Sequence, residues 1–151
     1  MPTSLEVSFD KFTFKVASDR LYTRDGLWVL QLPPADGKRV RVGLTDYLQQ
    51  HHGDLAFATV KRAGTRVGAG EELAEIETVK VNLSLPAPLS GTVMEVNPAL
   101  ALTPEVINRD PYGEGWLAVM ETTNLDAELG ALLDPAAYFA AMQQQAEEAL
   151  K

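Results

Sequence analysis

Lys80 lies in a pattern of residues that presents its side-chain amine as an attachment point. Apolar and polar residues alternate on both sides of it within residues 73–85, which predicts two short strands joined by a tight turn, each with one buried and one exposed face. Val79 and Val81 flank the lysine, and Pro86 ends the second strand because proline donates no hydrogen bond to a sheet. A lysine at a hairpin tip has a rigid base and a free amine, which a covalently attached swinging cofactor needs.

The ordinary interpretation of an exposed lysine in a turn is that it only keeps the surface hydrated. Other groups in the chain suggest no competing reaction centre. His51 and His52 are the two histidines, and adjacent side chains point in different directions, so we expect no metal site. The chain has no Gly-x-Ser-x-Gly motif, and residues 64–70 lack the strand-to-helix context of a phosphate-binding loop. We therefore expect a protein that is not itself an enzyme.

Length and composition narrow the possible partners. The 151 residues suit one domain with a substantial core. The formal net charge of −8 disfavours nucleic acids and anionic membranes as partners. Because the chain has no cysteine, any redox atoms must come from a cofactor. The N-terminus lacks a basic stretch followed by an apolar run, so we expect a cytoplasmic location without a signal peptide or membrane span.

Short strands separated by turns dominate the rest of the chain. Residues 1–20 are expected to form an N-terminal arm, within which the alternation of Phe12, Phe14 and Val16 predicts a strand. Other strands are expected at 27–32, 39–43, 55–60, 89–96 and 116–123, with a turn at 33–37. Many short strands of this kind favour a mainly β fold, either a β-sandwich or a flattened barrel.

Helices are expected to lie at the edges of this β structure. Thr45 is a suitable N-cap for a helix that ends near Gly53. Thr103, followed by proline, predicts a short helix to Ile107. Two more helices are expected at 125–133 and 135–150, and the second of these follows a further cap-plus-proline signal. The fold should thus carry short peripheral helices and a C-terminal helix.

Residues 77–80 read Glu-Thr-Val-Lys, and other distinctive segments are residues 42–47, 53–57, 91–97 and 108–117. Together these segments resemble the H protein of the glycine cleavage system, a family of lipoyl carriers. Residues 77–80 match the family's modification motif, Glu-Ser-Val-Lys. The resemblance runs from about Leu21 to the C-terminus. It implies a lipoyl-domain-like fold, a barrel-sandwich hybrid, over residues 21–151, with residues 1–20 as an extension.

The resemblance implies that lipoate is attached to Lys80 through an amide. Acylation would remove the ammonium charge and add a long, mostly apolar arm, whose dithiolane supplies the thiol chemistry that the chain lacks. Residues that would shape the tip read by a lipoate-protein ligase or lipoyl transferase are Glu77, Thr78, Val79 and Val81. Biotin is the nearest rival cofactor, but biotin carriers typically flank the lysine with methionines, and here both flanking residues are valine.

The chain departs from the family at two acidic positions. The family typically carries His-Glu-Trp where this chain has Gly26, Leu27 and Trp28, and an aspartate where it has Ser84. In the family these carboxylates lie near the cleft that receives the loaded arm, whose aminomethyl group is cationic, so each loss removes an attraction of ~1 kcal/mol. Leu27, Trp28 and Ser84 are candidates to line that cleft, and plain core packing is the alternative for Trp28.

These departures favour one function, and two alternatives stay open. The favoured function is a lipoate-binding protein of cytoplasmic sulfur oxidation that serves a heterodisulfide-reductase-like complex. The first alternative is a glycine cleavage system H protein, which carries an aminomethyl group between the decarboxylase, the aminomethyltransferase and dihydrolipoamide dehydrogenase. The second alternative is an unmodified binding domain or a lipoyl-relay protein.

Overall fold

The computed structural model of the chain describes residues 4–9, 12–33 and 38–149. The strands are β1 (Ser4–Phe9), β2 (Phe12–Ala17), β3 (Leu21–Tyr22), β4 (Leu27–Gln31), β5 (Arg39–Leu44), β6 (Leu55–Val60), β7 (Arg66–Val67), β8 (Glu72–Thr78), β9 (Asn82–Pro86), β10 (Gly91–Val96) and β11 (Ala118–Thr122). The helices are α1 (Asp46–His52), α2 (Ala99–Leu102), α3 (Val106–Arg109), α4 (Leu125–Glu128) and α5 (Pro135–Ala149).

Three open sheets make up the β structure. The largest has the strand order β3-β4-β5-β11-β10-β7, the second has the order β6-β8-β9, and the third is the β1-β2 hairpin. Neighbouring strands in all three sheets are antiparallel. The predicted mainly β fold, with short peripheral helices and a C-terminal helix, is therefore confirmed. The flattened barrel is not a closed one, because the described strands form open sheets.

A shared apolar core joins the six-stranded and three-stranded sheets. Val42 and Met120 come from β5 and β11, Ile76 and Leu85 come from β8 and β9, and all four are at most 1% exposed. Burial of such side chains contributes about 25 cal/mol for each Å² of apolar surface removed from water. The core therefore gives the β8–β9 hairpin a rigid base.

Capping residues fix the ends of α1 and the start of α5 as the sequence predicts. The Thr45 hydroxyl accepts a hydrogen bond from the Leu48 amide at 3.2 Å, and Gly53 ends α1 with φ of 85°. A non-glycine residue would be strained at that φ. The Asp134 carboxylate accepts a hydrogen bond from the Ala137 amide at 2.7 Å and so caps α5. Local sequence signals are sufficient at these two helices.

The short helix predicted from Thr103 to Ile107 is present as α3, but the prediction of its start was wrong. Thr103 ends α2, and its amide donates to the Ala99 carbonyl at 2.7 Å. The Asn97 side chain accepts a hydrogen bond from the Ala99 amide, so it binds the backbone where α2 begins. The next helix, α3, begins only at Val106.

One other expected helix is only partly α-helical, and two other expected features lie wholly or partly outside the described residues. The helix expected at 125–133 is α4 followed by a 3-10 turn over Leu129–Ala131. The turn expected at 33–37 lies outside the described residues apart from Pro33, as does the helix end at Leu150.

The strand predicted around Phe12–Val16 is present as β2, and it pairs with β1, which the sequence did not predict. Phe14 and Val16 are 6% and 0% exposed, and both belong to a second apolar cluster with Tyr138 and Met142 of α5. Strand β2 also contacts α1, and both strands of the hairpin contact α5. The described part of the expected N-terminal arm is thus a hairpin packed on two helices.

Candidate functional site

Thr78 holds the turn between β8 and β9. Its amide donates to the Val81 carbonyl at 2.9 Å. Its hydroxyl accepts hydrogen bonds from the amides of Lys80 and Val81 at 3.2 and 3.1 Å. The last paired residues before the turn are Glu77 and Asn82. A threonine side chain that binds the backbone in this way fixes a tight turn, so the predicted hairpin has Lys80 at a defined tip.

The tip displays two apolar side chains beside the lysine. Val79 is 91% exposed and Val81 is 41% exposed, and Lys80 between them is also exposed. Glu77 and Thr78, just before the tip, are half-buried. Exposed apolar side chains contribute little to the stability of the fold. Their exposure therefore suits a surface that another protein recognises. The lysine amine is accessible to a modifying enzyme.

A groove of about 260 Å³ lies next to the tip, and Lys80 forms part of its wall. Its other lining residues come from β2, α1 and α5, and they are Phe12, Phe14, Tyr47, Gln50, His51, Ala146 and Ala149. Aromatic and methyl groups therefore dominate the surface beside the lysine. The groove exists only because the N-terminal hairpin, α1 and α5 meet at the same end of the molecule as the β8–β9 turn.

The histidines at the end of α1 lie within electrostatic reach of Lys80. Burial lowers the pKa of His52, and the charges of His51 and Lys80 lower it further. The His51 ring stacks on the Tyr47 ring with a centroid distance of 5.4 Å and meets the His52 ring edge-on. In the described part of the chain, no group of three His, Asp or Glu side chains could hold a metal ion.

Leu27 and Trp28 are both fully buried, with no exposed surface. Leu27 belongs to the main core, whereas the Trp28 indole N–H donates to the Pro111 carbonyl at 2.9 Å. The Arg20 guanidinium lies over the indole ring at 4.6 Å from its centroid. Gly43 allows this packing, since a Cβ there would come within 2.5 Å of the indole. Neither side chain opens onto the groove in this conformation, and their binding of an arm stays a prediction.

Ser84 lies on the exposed face of β9, and its hydroxyl donates to a Glu72 carboxylate oxygen at 2.8 Å. This hydrogen bond, followed by the one from Lys61, lowers the pKa of Glu72. An aspartate at position 84 would place a second carboxylate beside Glu72, and like charges at this distance repel. Ser84 is not among the residues that line the groove, so its role in binding an arm also stays a prediction.

Sequence reasoning found the tip but missed the groove. The alternation of Phe12 and Phe14 shows that they share one face of a strand, and their rings are stacked with centroids 6.1 Å apart. It does not show which helix that face meets. Likewise, Tyr47, Ala146 and Ala149 carry no local signal for a site. Contacts between segments far apart in the chain bring these residues together.

Three kinds of comparison with known proteins agree with one another. The model of the family described as glycine cleavage H-protein matches residues 20–145. A probable glycine cleavage system H protein of Thermococcus gammatolerans is 45% identical over 125 residues, which are 83% of this chain and 90% of that protein. A glycine cleavage system H protein of Thermus thermophilus is 37% identical over 131 residues, covering 87% of this chain and 98% of that protein.

A solved structure shows the same similarity. The crystal structure of a glycine cleavage system H protein from Mycobacterium marinum matches with a TM-score of 0.72 and 38% identity, covering 82% of this chain and 95% of that one. The β1–β2 hairpin, at residues 4–17, precedes the residues that the family model matches. In the described part of the chain, no helix is long and apolar enough to cross a membrane.

Proposed function

The chain belongs to the glycine cleavage H-protein family, and from this premise we propose that it is a lipoyl carrier whose arm is attached to Lys80. The observation that carries this proposal is the tip of the β8–β9 hairpin. Its backbone is held by Thr78, its lysine amine is exposed, and its base is part of the main core. A carrier needs this combination, because a mobile arm must start from a fixed point.

The residues at the tip fit an acylated lysine. An amide at the Lys80 amine removes one positive charge, so the formal net charge of −8 becomes −9. Val79 and Val81 place exposed apolar side chains on either side of this lysine in the sequence. When attached, lipoate supplies the exchangeable pair of sulfur atoms that this cysteine-free chain does not have. The chain itself contributes the anchor and the exposed surface around it. It is a carrier subunit, and the catalytic steps belong to its partner enzymes.

The load that this proposal assigns to the arm is an aminomethyl group of the glycine cleavage system. The named relatives support it, because each is described as a glycine cleavage system H protein. The preference for sulfur oxidation depended on Leu27 and Ser84 in place of two acids. The relatives give no support to that preference. The expected partners are therefore the decarboxylase, the aminomethyltransferase, dihydrolipoamide dehydrogenase and a lipoate-protein ligase or lipoyl transferase.

Tethering explains how one arm serves several partners. Because the arm is covalently held, each docked active site meets it at a high effective concentration without separate binding. The exposed valines at the tip give each partner, and the lipoylating enzyme, an apolar surface to recognise. Since the rest of the hairpin is rigid, the reach of the arm is defined from Lys80 outward.

Intact-mass measurement combined with reconstitution tests the proposal. The full chain, produced with a lipoylating enzyme and lipoate, should gain the mass of one lipoyl group, and Lys80→Arg should gain none. Lys61→Arg is the matched control, since Lys61 is an exposed lysine just after β6 of the same sheet, and it should be lipoylated normally. With the three glycine cleavage enzymes, the lipoylated protein should support glycine turnover.

The two measurements separate the alternatives. An unmodified mass under lipoate-replete conditions would contradict the carrier function and favour an unmodified binding domain. Full lipoylation without glycine turnover would contradict only the assigned load. It would favour the sulfur-oxidising complex as the partner. Lipoylation of the Lys80→Arg variant would contradict the attachment site.

A further inference from the structure

A second groove, the edge groove, has a volume of about 670 Å³ and runs along the free edge of β6. In the described sheets, β6 is the outermost strand of the β6-β8-β9 sheet and pairs with β8 alone. One wall consists of residues 56–60 in unbroken succession, and the other comes from the end of β10, from α2 and from the segment after it. Successive side chains of a strand point to opposite faces, so this unbroken run shows that the groove follows the backbone edge of β6.

Backbone groups of Ala58 and Val60 point into the edge groove. The Lys61 amide donates to the Leu73 carbonyl of β8 at 2.9 Å, and the register between residues 57 and 60 is regular. In an antiparallel pair, residues that bond the partner strand alternate with residues that face away from it. Counting back from Lys61, Ala58 and Val60 are the residues that face away. In the described sheets no strand pairs with that side of β6, and such an edge is a template for one more strand.

The side chains that line the edge groove are uncharged, and two of them are large, apolar and exposed. Phe57 is 64% exposed and Leu102 is 89% exposed. Away from the hairpin tip, these are the most exposed large apolar side chains in the described ranges. None of the described lining residues is a lysine, arginine, aspartate or glutamate. Apolar patches of this kind mark interaction surfaces on soluble proteins, so the edge groove suits an extended, uncharged segment of another protein.

The edge groove starts beside the hairpin tip and lies next to two acidic side chains. Leu55, where β6 begins, pairs with Thr78, which holds the turn. Phe57 then pairs with Glu77, and Glu75 is the next residue on the same face of β8. Residues opposite each other in a sheet share a face. Neither glutamate forms an ion pair within the described residues, so both carboxylates are available to a positively charged partner.

We propose that the edge groove docks the enzyme that lipoylates Lys80, through an extended, uncharged segment flanked by lysine or arginine that adds a fourth strand beside β6. This inference rests on the proposed function, since it requires Lys80 to be lipoylated. The lipoylating enzyme is favoured because its active site must reach the Lys80 amine itself, whereas later partners meet the distal end of the arm. Neighbouring strands are about 4.8 Å apart, so the docked strand would lie about 10 Å from β8, which leads directly to the tip.

Steady-state lipoylation of the full-length unmodified protein by a lipoate-protein ligase, followed by intact mass, tests the side chains. Phe57→Ser and Leu102→Ser should each raise the KM for the carrier by roughly three- to tenfold, the range for one apolar contact in an interface, and leave kcat unchanged. Phe12→Ser is the matched control, because Phe12 is an exposed phenylalanine that does not line the edge groove. It should keep the wild-type KM. An equal rise in Phe12→Ser would overturn the docking, because the effect would not depend on the edge groove.

The two carboxylates should give a weaker effect that depends on salt. Glu75→Gln should raise the KM by about twofold at low ionic strength, and the difference should vanish at high ionic strength, where charges are screened. Glu147→Gln is the control, since Glu147 is an exposed acid on α5, and it should change nothing. An equal effect of the two substitutions would show that the ligase responds to net charge, which would contradict the proposed flanking charges.

Hydrogen exchange tests the added strand without altering the edge groove. Lys80→Arg keeps the charge but accepts no lipoyl group, so its complex with the ligase does not turn over. In that complex the amides of Ala58 and Val60 should exchange roughly tenfold or more slowly than in the free protein. The Phe57 amide, on the side of β6 that pairs with β8, is the internal control and should stay protected in both states. Unchanged exchange at Ala58 and Val60 would overturn the strand addition.

The outcomes separate this docking from the carrier function. If intact mass shows no lipoyl group on the wild-type protein, both fail. If the wild type is lipoylated but Phe57→Ser and Leu102→Ser keep its KM, the docking alone is overturned and the carrier function stands. If these variants are lipoylated normally but then need more carrier for half-maximal glycine turnover, the edge groove serves a later partner, and its assignment to the lipoylating enzyme is overturned.

Discussion

Two hairpins of the same kind are used in opposite ways in this molecule. The β8–β9 hairpin has its base in the main core and presents Val79, Lys80 and Val81 to solvent. The β1–β2 hairpin instead turns Phe14 and Val16 into a cluster with α5. The first hairpin displays a reactive group, and the second supplies a wall beside it. The comparison teaches that the reactive amine is a local feature, whereas its surroundings depend on distant segments.

The largest expected effect is on the free energy of unfolding, when one apolar side chain is removed from each hairpin in turn. Phe14 is 6% exposed and its ring meets Tyr47 edge-on at 5.1 Å, so Phe14→Ala should lower the free energy of unfolding by about 3 kcal/mol. Val79 is 91% exposed, and Val79→Ala should change it by less than about 0.5 kcal/mol. Chemical denaturation measures both. Equal losses would contradict the packing of β2.

The same contrast explains what could be predicted from the sequence. The β8–β9 hairpin, α1 and the start of α5 follow from alternation and from capping by Thr45 and Asp134, which are short-range signals. Thr103 carries the same signal, but it ends a helix that starts just after Asn97, whose side chain binds the Ala99 amide. A local rule cannot show that competition. It also cannot show that Leu27 and Trp28 are buried, since that depends on the strands and loops around them.

The next prediction concerns the hydrogen bonds of Asp46, one of which attaches the β1–β2 hairpin to α1. Asp46 accepts hydrogen bonds from the Lys15 amide at 2.9 Å and from the Gln50 side chain at 3.0 Å. Asp46→Ala should lower the free energy of unfolding by about 1–2 kcal/mol, because it removes a charged acceptor from three donors, the third being the Gln49 side chain at 2.8 Å. Asp126→Ala is the control, since Asp126 is also in the first turn of a helix. If both variants lose the same amount, the hydrogen bonds to the hairpin contribute nothing measurable.

At the other hairpin, loss of a hydroxyl should affect mobility more than stability. Thr78→Val keeps the shape but removes the acceptor for the amides of Lys80 and Val81. The expected cost is about 0.5–1 kcal/mol, with faster hydrogen exchange at those two amides. Thr59→Val, at an exposed position of β6, should leave both quantities near wild type. Unchanged exchange in Thr78→Val would show that the turn is held by its backbone alone.

The smallest expected effect is a change in the pKa of His52 on α1, which the charge of Lys80 at the hairpin tip lowers. Burial, then His51 and then Lys80 lower the pKa of His52 below the ordinary value of about 6.5. Acylation of Lys80 removes one of these three causes, so the pKa of His52 should rise on lipoylation but stay below the ordinary value, because burial remains. An NMR titration of the His52 ring in the unmodified and lipoylated proteins measures the change. Unmodified Lys80→Gln should reproduce the rise, whereas Lys61→Gln should not.

This shift also has a consequence for stability with a definite sign. Because the pKa of His52 is lower in the folded protein, the unfolded chain binds the proton first as the pH falls through about 6.5. The contribution of His52 to stability is therefore complete above that pH and is lost as the pH falls towards the lowered pKa. Lipoylation should reduce this loss, since it brings the two pKa values closer. Denaturation of both forms at neutral and mildly acidic pH tests this. An equal loss in the two forms would mean that the charge of Lys80 does not act on His52.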